Sequence, residues 1–269
     1  MDIRESPKAL SEPGAQYFNI LAQMGLTKHM GAMDSTRELI ARCHIRPGQL
    51  VLDAGCGVGA TPCYLAREHG CRVVGVDVTP GMIEHARERA RREGLEDLVT
   101  FHVADACALP YVDSAFDAVL CESVVLFLHE KQRAVDEFAR AVRPGGYVGL
   151  NEATLLKPAP SPAFLDYMSR AAGTVGGLLP EGDWVRLLRE AGFTDIVARS
   201  QRIDLRREVK GRLERYSIRD VGAALRRIGR LYMSDPALRA FLKNAQQGTR
   251  FLMHSTLEYM GYGVYVGRA

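Results

Sequence analysis

The stretch VLDAGCGVGAT, residues Val51–Thr61, decides the fold of this chain. An apolar run ends at three closely spaced glycines, Gly55, Gly57 and Gly59, and a helix-like segment follows. Glycine tolerates positive φ angles and lets a ligand approach the backbone closely, so this pattern is typical of a strand-to-helix turn that holds a nucleotide-like cofactor. The sequence therefore predicts a cofactor loop and leaves open which cofactor it holds.

Strand-like and helix-like segments alternate around this loop, from about residue 47 to residue 152. Helix-like segments of roughly 10 to 15 residues separate the strands, which is typical of β-α-β units with right-handed crossovers. We predict an α/β fold, with a doubly wound, mostly parallel, seven-stranded sheet of the Rossmann-like type. Apolar runs predict the first five strands at 48–55, 71–78, 98–105, 116–123 and 147–153.

Two segments stand outside this alternation and suggest the domain organisation. Residues 1–46 are predicted to form an N-terminal helical arm or lid, and residues 205–258 a helical insertion that caps the pocket or forms a dimer. Residues 47–204 and 259–269 make up the core, whose last two strands are predicted in FTDIVARSQRIDL and YGVYVGR. Helices are expected in SPAFLDYMSRAAG and EGDWVRLLREAG, before the sixth strand.

The composition is that of an ordinary globular protein, with 47% hydrophobic and 25% charged residues. No apolar run reaches the about 18 residues that a membrane-spanning helix needs, and we do not expect a secretory signal in the first residues. The net charge of +3 is too small to indicate nucleic-acid binding. The six cysteines form no C-x-x-C pair, so we expect reduced, buried thiols, no metal site and a cytoplasmic location.

The glycine loop also satisfies the loose pattern G-x-G-x-x-G/A of dinucleotide-binding folds. In such folds an acid that binds the ribose is expected about 20 residues after the glycines. Asp77 follows Gly55 at nearly this spacing. An NAD(P)-dependent oxidoreductase is therefore one hypothesis. Three further features favour a different hypothesis. They are Asp53 before the glycines, Asp105 after the third strand and RPGG before the fifth strand.

The motifs LDAGCGVG, VVGVDVTPGMIEHAR, FHVADACALPYVDSAFDAVLC and RPGG, in this order, resemble the class I S-adenosylmethionine-dependent methyltransferases. The chain is most similar to the small-molecule branch that includes the ubiquinone, menaquinone, tocopherol and sterol methyltransferases. The resemblance implies S-adenosyl-L-methionine as the cofactor and a small-molecule O, N or C nucleophile as the methyl acceptor. A non-catalytic cofactor-binding module on the same fold is a further alternative.

The resemblance also implies which residues hold the cofactor. The loop glycines would admit its methionine portion, Asp77 would accept from the ribose hydroxyls, and Asp105 from the adenine amino group. Val78 and Met82 would enclose the adenine ring. The full set is Asp53, Gly55, Cys56, Gly57, Gly59, Asp77, Val78, Met82, Asp105, Ala106, Glu122 and Ser123.

Structural roles compete with these assignments. An aspartate at a strand end also caps the following turn or helix, and Met82 suits core packing as well as adenine contact. Thr79, just after the second strand, is expected to be the N-cap of the next helix, with Pro80 at its first position.

The methyl acceptor is harder to derive from the sequence. Transfer from a sulfonium is an in-line displacement, so the protein mainly aligns two reactants and excludes water, and a general base is not obligatory. Two residues are the candidate catalytic residues by position. His129 lies just after the fourth strand at the start of a helix, next to the expected reaction centre, and Glu152 ends the fifth strand and is expected to face the same crevice. Tyr17 and His29, in the arm, are the candidate substrate contacts.

Residues 201–230 are strongly basic, and three interpretations of this charge stay open. The arginines form a solvated helix face, hold an anionic substrate group, or contact an anionic membrane surface peripherally. Among partners we expect a small-molecule acceptor, no nucleic acid, no membrane span, and a second copy of the chain if the insertion dimerises.

Overall fold

The computed structural model describes residues 21–25, 29–157, 178–206, 208, 210–211, 218–236, 239 and 258–269. Tyr17, the helix expected in SPAFLDYMSRAAG and much of the 205–258 insertion lie outside the described residues. In the part of the chain that the structure describes, no helix is long and apolar enough to cross a membrane.

The described elements alternate between strand and helix as the sequence predicts. In chain order they are α1 Ala32–Arg42, β1 Leu50–Ala54, α2 Ala60–His69, β2 Arg72–Asp77, α3 Pro80–Glu93, β3 Val99–Val103, β4 Phe116–Glu122, a 3-10 turn Val125–Phe127, α4 Lys131–Ala141, β5 Val142–Leu155, β6 Leu179–Pro180, α5 Glu181–Glu190, β7 Thr194–Arg202, α6 Ile218–Ser234 and β8 Met260–Arg268.

The strands form one sheet in the order β3-β2-β1-β4-β5-β8-β7, and the two-residue β6 pairs with β5 beside this path. β8 runs antiparallel to both of its neighbours, β5 and β7, whereas the other pairs are parallel. The predicted fold class is confirmed. The strand order reverses between β1 and β4, and in such sheets ligands bind beyond the carboxyl ends of the strands at that point.

Two apolar layers hold helices against the two faces of the sheet. One layer contains Phe116, Phe138 and Trp184 and includes residues of α4 and α5. The other contains Leu65 and Ile83 and joins α1, α2 and α3 to the sheet. Strands covered on both faces are apolar at nearly every position, which explains the continuous runs in β1 and β4. All six cysteines are buried and unpaired, as predicted.

One local prediction is confirmed and one needs correction. Thr79 is the N-cap residue of α3 and Pro80 begins the helix, as predicted, although the Thr79 side chain makes no capping hydrogen bond. The backbone N–H of Thr79 donates to the Asp77 carboxylate at 2.9 Å. The fifth strand begins at Val142 rather than at residue 147, because Val142 already pairs with Phe116 before a register shift in β4.

Candidate active site

The glycine loop is held against β2 by backbone hydrogen bonds. The N–H groups of Gly55 and Cys56 both donate to the Val76 carbonyl, at 2.7 and 2.8 Å. Gly55, Gly57 and Gly59 have φ angles of 84°, 52° and 75°, in the left-handed region that favours glycine. The loop is therefore a fixed turn between β1 and α2.

Packing explains two of the three glycines. A Cβ atom on Gly55 would overlap the side chain of Val124, and one on Gly59 would lie 2.9 Å from both Ala86 Cβ and Phe101 Cζ. At Gly55 and Gly59 the neighbouring side chains therefore also exclude any residue with a Cβ, and the approach of a cofactor to the loop backbone stays a prediction.

Asp77 ties the loop to the end of β2. Its Oδ2 accepts a hydrogen bond from the Gly57 N–H at 3.0 Å, and its Oδ1 accepts from the Thr79 N–H at 2.9 Å. Burial raises the pKa of this carboxyl, and these hydrogen bonds oppose the rise. The side chain nevertheless keeps part of its surface exposed.

Asp53 and Cys56 lie deeper in the same region. Asp53, at the carboxyl end of β1, is 2% exposed and lies in register with Gly75 of β2 and Leu120 of β4. Burial, together with the charges of Asp77 and Asp53, raises the pKa of the Cys56 thiol well above its ordinary value. Cys56 is therefore a protonated, packed side chain.

Asp105 shapes the turn after β3. Its Oδ1 accepts from the Cys107 N–H at 2.8 Å, and the side chain remains partly exposed, while Ala106 is buried. The capping role that competes with adenine binding is thus present. Because this hydrogen bond uses only one carboxylate oxygen, capping does not exclude a ligand.

The two residues expected to enclose adenine differ in exposure. Val78 is partly exposed. Met82 is 2% exposed and packs in a small apolar cluster with Ala22 of the arm and Val58 of the glycine loop. Core packing, the role that competes with adenine contact at Met82, is thus present, and adenine contact stays a prediction.

A buried polar cluster lies at the carboxyl ends of β4 and β5. Glu122 Oε1 accepts from the Thr61 hydroxyl at 2.8 Å, and Oε2 accepts from the Thr36 hydroxyl at 2.8 Å. His29 Nδ1 lies 3.4 Å from Oε2. We call this group the Glu122 cluster, and its members, all at most 9% exposed, are His29, Ser35, Thr36, Thr61, Glu122 and Asn151.

Asn151 connects this cluster to the arm. Its amide nitrogen donates to the Met30 carbonyl at 2.8 Å and to Ser35 Oγ at 2.9 Å. Its Oδ1 is buried and has no hydrogen-bond partner among the described residues. The sequence analysis missed Ser35, Thr36 and Thr61, because hydroxyls inside helices carry no signal until the fold brings them to one carboxylate.

Ser123 and Glu152 shape the turn that follows β4. Ser123 has a φ of 57°, which is strained for a residue with a side chain, and its N–H donates to the Asn151 carbonyl at 2.7 Å. The Glu152 carboxylate accepts from the N–H groups of Val124 and Val125 at 3.0 and 2.8 Å. Glu152 is fully buried, so the expectation that it faces the crevice is corrected.

The environment of Glu152 also changes its acidity. Burial raises its pKa to about 7, although the backbone hydrogen bonds and the charge of Lys131 act in the opposite direction. This carboxyl holds the 3-10 turn from inside the core.

His129 is not part of the site as described. It lies in the exposed segment between the 3-10 turn and α4, and its side chain takes part in no hydrogen bond, ion pair or ring contact with the described residues. Its role as a catalytic residue stays a prediction. Among the two arm candidates, His29 joins the Glu122 cluster, and Tyr17 lies outside the described residues.

Residues that could bind a metal ion do not converge in this region. Over the described ranges, no group of three or more His, Cys, Asp or Glu side chains has the arrangement of a metal site.

The fold and the strand-end residues together define a class of protein. Residues 52–150 match the family model described as a methyltransferase domain. The core of this chain is thus a class I, Rossmann-like methyltransferase domain, as the motifs of the sequence indicate.

Two relatives illustrate how far the similarity extends. Phosphoethanolamine N-methyltransferase 1 of Arabidopsis thaliana is 31% identical over 185 residues, which are 69% of this chain and 37% of that protein. The methyltransferase GfsG of Streptomyces halstedii is 41% identical over 115 residues, which are 43% of this chain and 41% of that protein. The chain therefore spans less than half the length of these relatives.

Solved structures resemble the fold over almost the whole chain. The [4+2]-cyclase SpnF has a TM-score of 0.73 and 23% identity, with 95% of this chain and 94% of that chain covered. A methyltransferase from Geobacter sulfurreducens in complex with S-adenosylhomocysteine has a TM-score of 0.66 and 22% identity, with 93% and 97% covered. At these identities the likeness is one of fold.

Proposed function

We propose that this chain transfers a methyl group from S-adenosyl-L-methionine to a small-molecule acceptor. The observation that carries the proposal is the position of Asp77, a partly exposed residue at the end of β2 whose carboxylate is hydrogen-bonded to the middle glycine of the loop. A methyltransferase domain over residues 52–150 supports the same conclusion.

The exposed groups at the strand ends suit this cofactor. Asp77 would accept from the ribose hydroxyls, Asp105 from the adenine amino group, and the backbone at Gly57 and Ser123 would hold the amino acid end. A carboxylate at the end of β2 suits a ribose whose hydroxyls carry no phosphate, because it would repel a phosphate at that position. When bound, the cofactor supplies a methyl group on a cationic sulfur.

In this proposal the chain acts by positioning and by excluding water. Ala22 of the arm covers Val58 and Met82, and the Glu122 cluster attaches residues 29–36 to the core. Alignment and desolvation of this kind suffice for an in-line displacement. We propose Glu152 as the residue that holds the turn after Ser123, and we assign no general base.

Two alternative functions predict different binding and turnover. An NAD(P)-dependent oxidoreductase would bind a dinucleotide. A cofactor-binding module without methyl transfer would bind S-adenosylmethionine but release no demethylated product. The structural likeness to SpnF, which is a cyclase, shows that this fold does not dictate the reaction.

The proposal is tested in two steps. Isothermal titration calorimetry compares S-adenosylhomocysteine with NADH, and we expect binding of the first on the order of micromolar Kd and none of the second. Release of S-adenosylhomocysteine from S-adenosylmethionine is then measured over a panel of hydroxyl, amine and activated-carbon acceptors. Binding of NADH alone would overturn the proposal, and binding without turnover over the panel would favour the non-catalytic module.

A further inference from the structure

A groove of about 430 Å³ lies between the C-terminal halves of α1 and α2. We call it the α1–α2 groove, and its walls include Ile40, His44, Ile45, Arg46, Tyr64 and His69. Sites for small molecules have volumes of about 300 to 1,000 Å³, so the groove is large enough for one.

The groove is separate from the candidate active site. Residues 43–49 precede β1, and His69 lies just before β2, so the groove is at the amino ends of these two parallel strands. The glycine loop and Asp77 are at their carboxyl ends. A strand of five residues such as β1 spans roughly 15 Å, so a small molecule in the groove does not reach the loop.

The backbone that forms one wall of the groove is fixed. The Gly48 N–H donates to the Gly70 carbonyl at 2.9 Å, and the Cys71 thiol donates to the Arg46 carbonyl at 3.5 Å. These two contacts hold the segment 43–49 against the end of α2. The groove is therefore preformed, and a ligand would bind without ordering a loop.

Three side chains of the groove carry unused hydrogen-bond donors. His44, Arg46 and His69 make no side-chain hydrogen bond or ion pair within the described part of the chain. Both imidazole rings are nevertheless held by aromatic contacts, with centroid distances of 5.1 Å from His44 to Tyr147 and 5.6 Å from His69 to Tyr64. The ring nitrogens are thus positioned but unsatisfied by protein.

Capping of the helices does not account for these donors. Carbonyls in the last turn of α1 accept from the backbone N–H groups of His44 and Ile45, at 3.2 and 3.1 Å. At the end of α2, the Gly70 N–H donates to the Ala66 carbonyl at 3.1 Å. Because backbone groups satisfy these carbonyls, the side-chain donors remain for another acceptor.

The backbone of His44 is strained. Its φ is 50°, in the left-handed region, at a position after a helix that glycine usually occupies. Folding alone would favour glycine here. Residues held in such conformations are concentrated at binding sites, where the side chain serves a purpose other than stability.

The chemistry of the groove selects its ligand. Its floor is apolar, since Ile40 and Ile45 are buried. Of the described residues that line it, none is acidic, whereas Arg37 and Arg46 are both cationic. Arg37 pairs with Asp34 at 3.1 Å, so Arg46 carries the charge without a partner among the described residues. A guanidinium group binds carboxylates and phosphates through paired N–H donors.

We propose that the α1–α2 groove is a second binding site, for a small aromatic anion. Its ring would lie on Ile40 and Ile45, and its carboxylate or phosphate would accept hydrogen bonds from Arg46 and His44. The inference goes beyond the proposed function, because no group of the candidate active site takes part in it.

The experiment measures binding to the full chain by calorimetry, with and without saturating S-adenosylhomocysteine. Benzoate and phenyl phosphate represent the two possible anionic groups. Benzamide is the neutral counterpart of benzoate, and inorganic phosphate lacks the ring. We expect at least one aromatic anion to bind with a Kd on the order of 1 mM or lower, and benzamide and inorganic phosphate at least about tenfold more weakly.

Two variants assign the binding to the groove. Arg46→Gln removes the unpaired charge and should weaken the anion about tenfold. His44→Gly removes the imidazole and relieves the backbone strain, so it should weaken the anion about threefold while the midpoint of denaturant unfolding stays at or above that of wild type. A residue that only shapes the end of α1 would not produce this combination.

Arg72→Gln is the matched control. Arg72 is an exposed arginine at the start of β2, on the same edge of the sheet, and it does not line the groove. It makes no ion pair with the described residues. We expect this variant to bind the anion within about twofold of wild type, because it loses the same charge outside the groove.

The results that support the inference also identify the anionic group. Binding of an aromatic anion that S-adenosylhomocysteine leaves unchanged, together with losses in Arg46→Gln and His44→Gly only, supports the site. The tighter of benzoate and phenyl phosphate then shows whether the site selects a carboxylate or a phosphate.

Four results would overturn the inference. The first is no binding of either aromatic anion up to about 10 mM. The second is equal affinity for benzoate and benzamide. The third is displacement of the anion by S-adenosylhomocysteine, which would place it in the cofactor crevice. The fourth is a loss in Arg72→Gln as large as that in Arg46→Gln, or no loss in Arg46→Gln, since either shows that the groove does not hold the anion.

Discussion

The carboxylate of Asp77 accepts a hydrogen bond of 3.0 Å from the backbone N–H of Gly57, so the end of β2 holds the middle of the glycine loop. The residue proposed to bind ribose therefore also sets the shape of the loop proposed to hold the amino acid end. One side chain therefore links two parts of the candidate cofactor site. The contribution of its charge to cofactor binding can be tested by substitution.

Replacement of Asp77 by asparagine should weaken S-adenosylhomocysteine binding by about 10- to 100-fold, because hydrogen bonds to an ionised acceptor are the stronger ones. Calorimetry measures the effect. Asp113→Asn is the control, since that side chain is 78% exposed and pairs with Arg140 away from the loop. Equal affinities of the Asp77 variant and wild type would remove Asp77 from the cofactor site.

Gly55 and Gly48 have nearly the same φ, 84° and 81°, but different surroundings. A Cβ on Gly55 would overlap Val124, whereas a Cβ on Gly48 meets nothing within 4 Å. We expect Gly48→Ala to cost about 1 kcal/mol of unfolding free energy from backbone strain alone. Gly55→Ala should cost about 2–4 kcal/mol, since overpacking adds to the strain. Denaturant unfolding compares the two, and equal losses would show that Val124 moves aside.

Glu152 should make stability depend on pH. Its pKa is raised from 4.5 to about 7, so the folded state holds a proton that the unfolded state has released in this range. The stability contributed by the protonated carboxyl is complete below about pH 4.5 and is lost as pH rises through about 7. The loss amounts to at most about 3 kcal/mol.

Glu152→Gln is the reference for this effect, because its amide oxygen can still accept from Val124 and Val125 but does not titrate. We expect the unfolding free energy of wild type to fall relative to the variant between pH 5 and pH 8. A constant difference over that range would mean that Glu152 is ionised throughout.

His129→Gln should leave turnover within about twofold of wild type, because an exposed side chain without contacts to the site contributes little. The measurement is release of S-adenosylhomocysteine with whichever acceptor of the panel is active. A loss of a hundredfold or more would show that the segment before α4 closes over the substrate during the reaction.

Much of the site could be predicted because strand ends are visible in the sequence. A buried parallel strand is a continuous apolar run, so the residue that follows it is placed at the ligand edge by topology alone. Asp77 and Asp105 were found in this way, and both lie partly exposed where the sheet order predicts. Glu122 was found by the same rule.

The same rule misjudged a residue whose side chain points inward. Glu152 also ends a predicted strand, but its carboxylate turns into the core toward Val124 and Val125. The direction of a side chain and the residues that cover it depend on neighbours that are distant in sequence. No local sequence pattern encodes these neighbours.

By itself, the sequence determined the doubly wound sheet, the glycine loop and the acids beside it, because periodicity and glycine spacing follow from local backbone geometry. Only the tertiary structure decided that Thr36, Thr61 and Asn151 meet at Glu122, and that the Val124 side chain lies where a Cβ on Gly55 would be. Those contacts join segments far apart in the chain. The fold brings them together because a buried carboxylate must find donors wherever the packed elements place them.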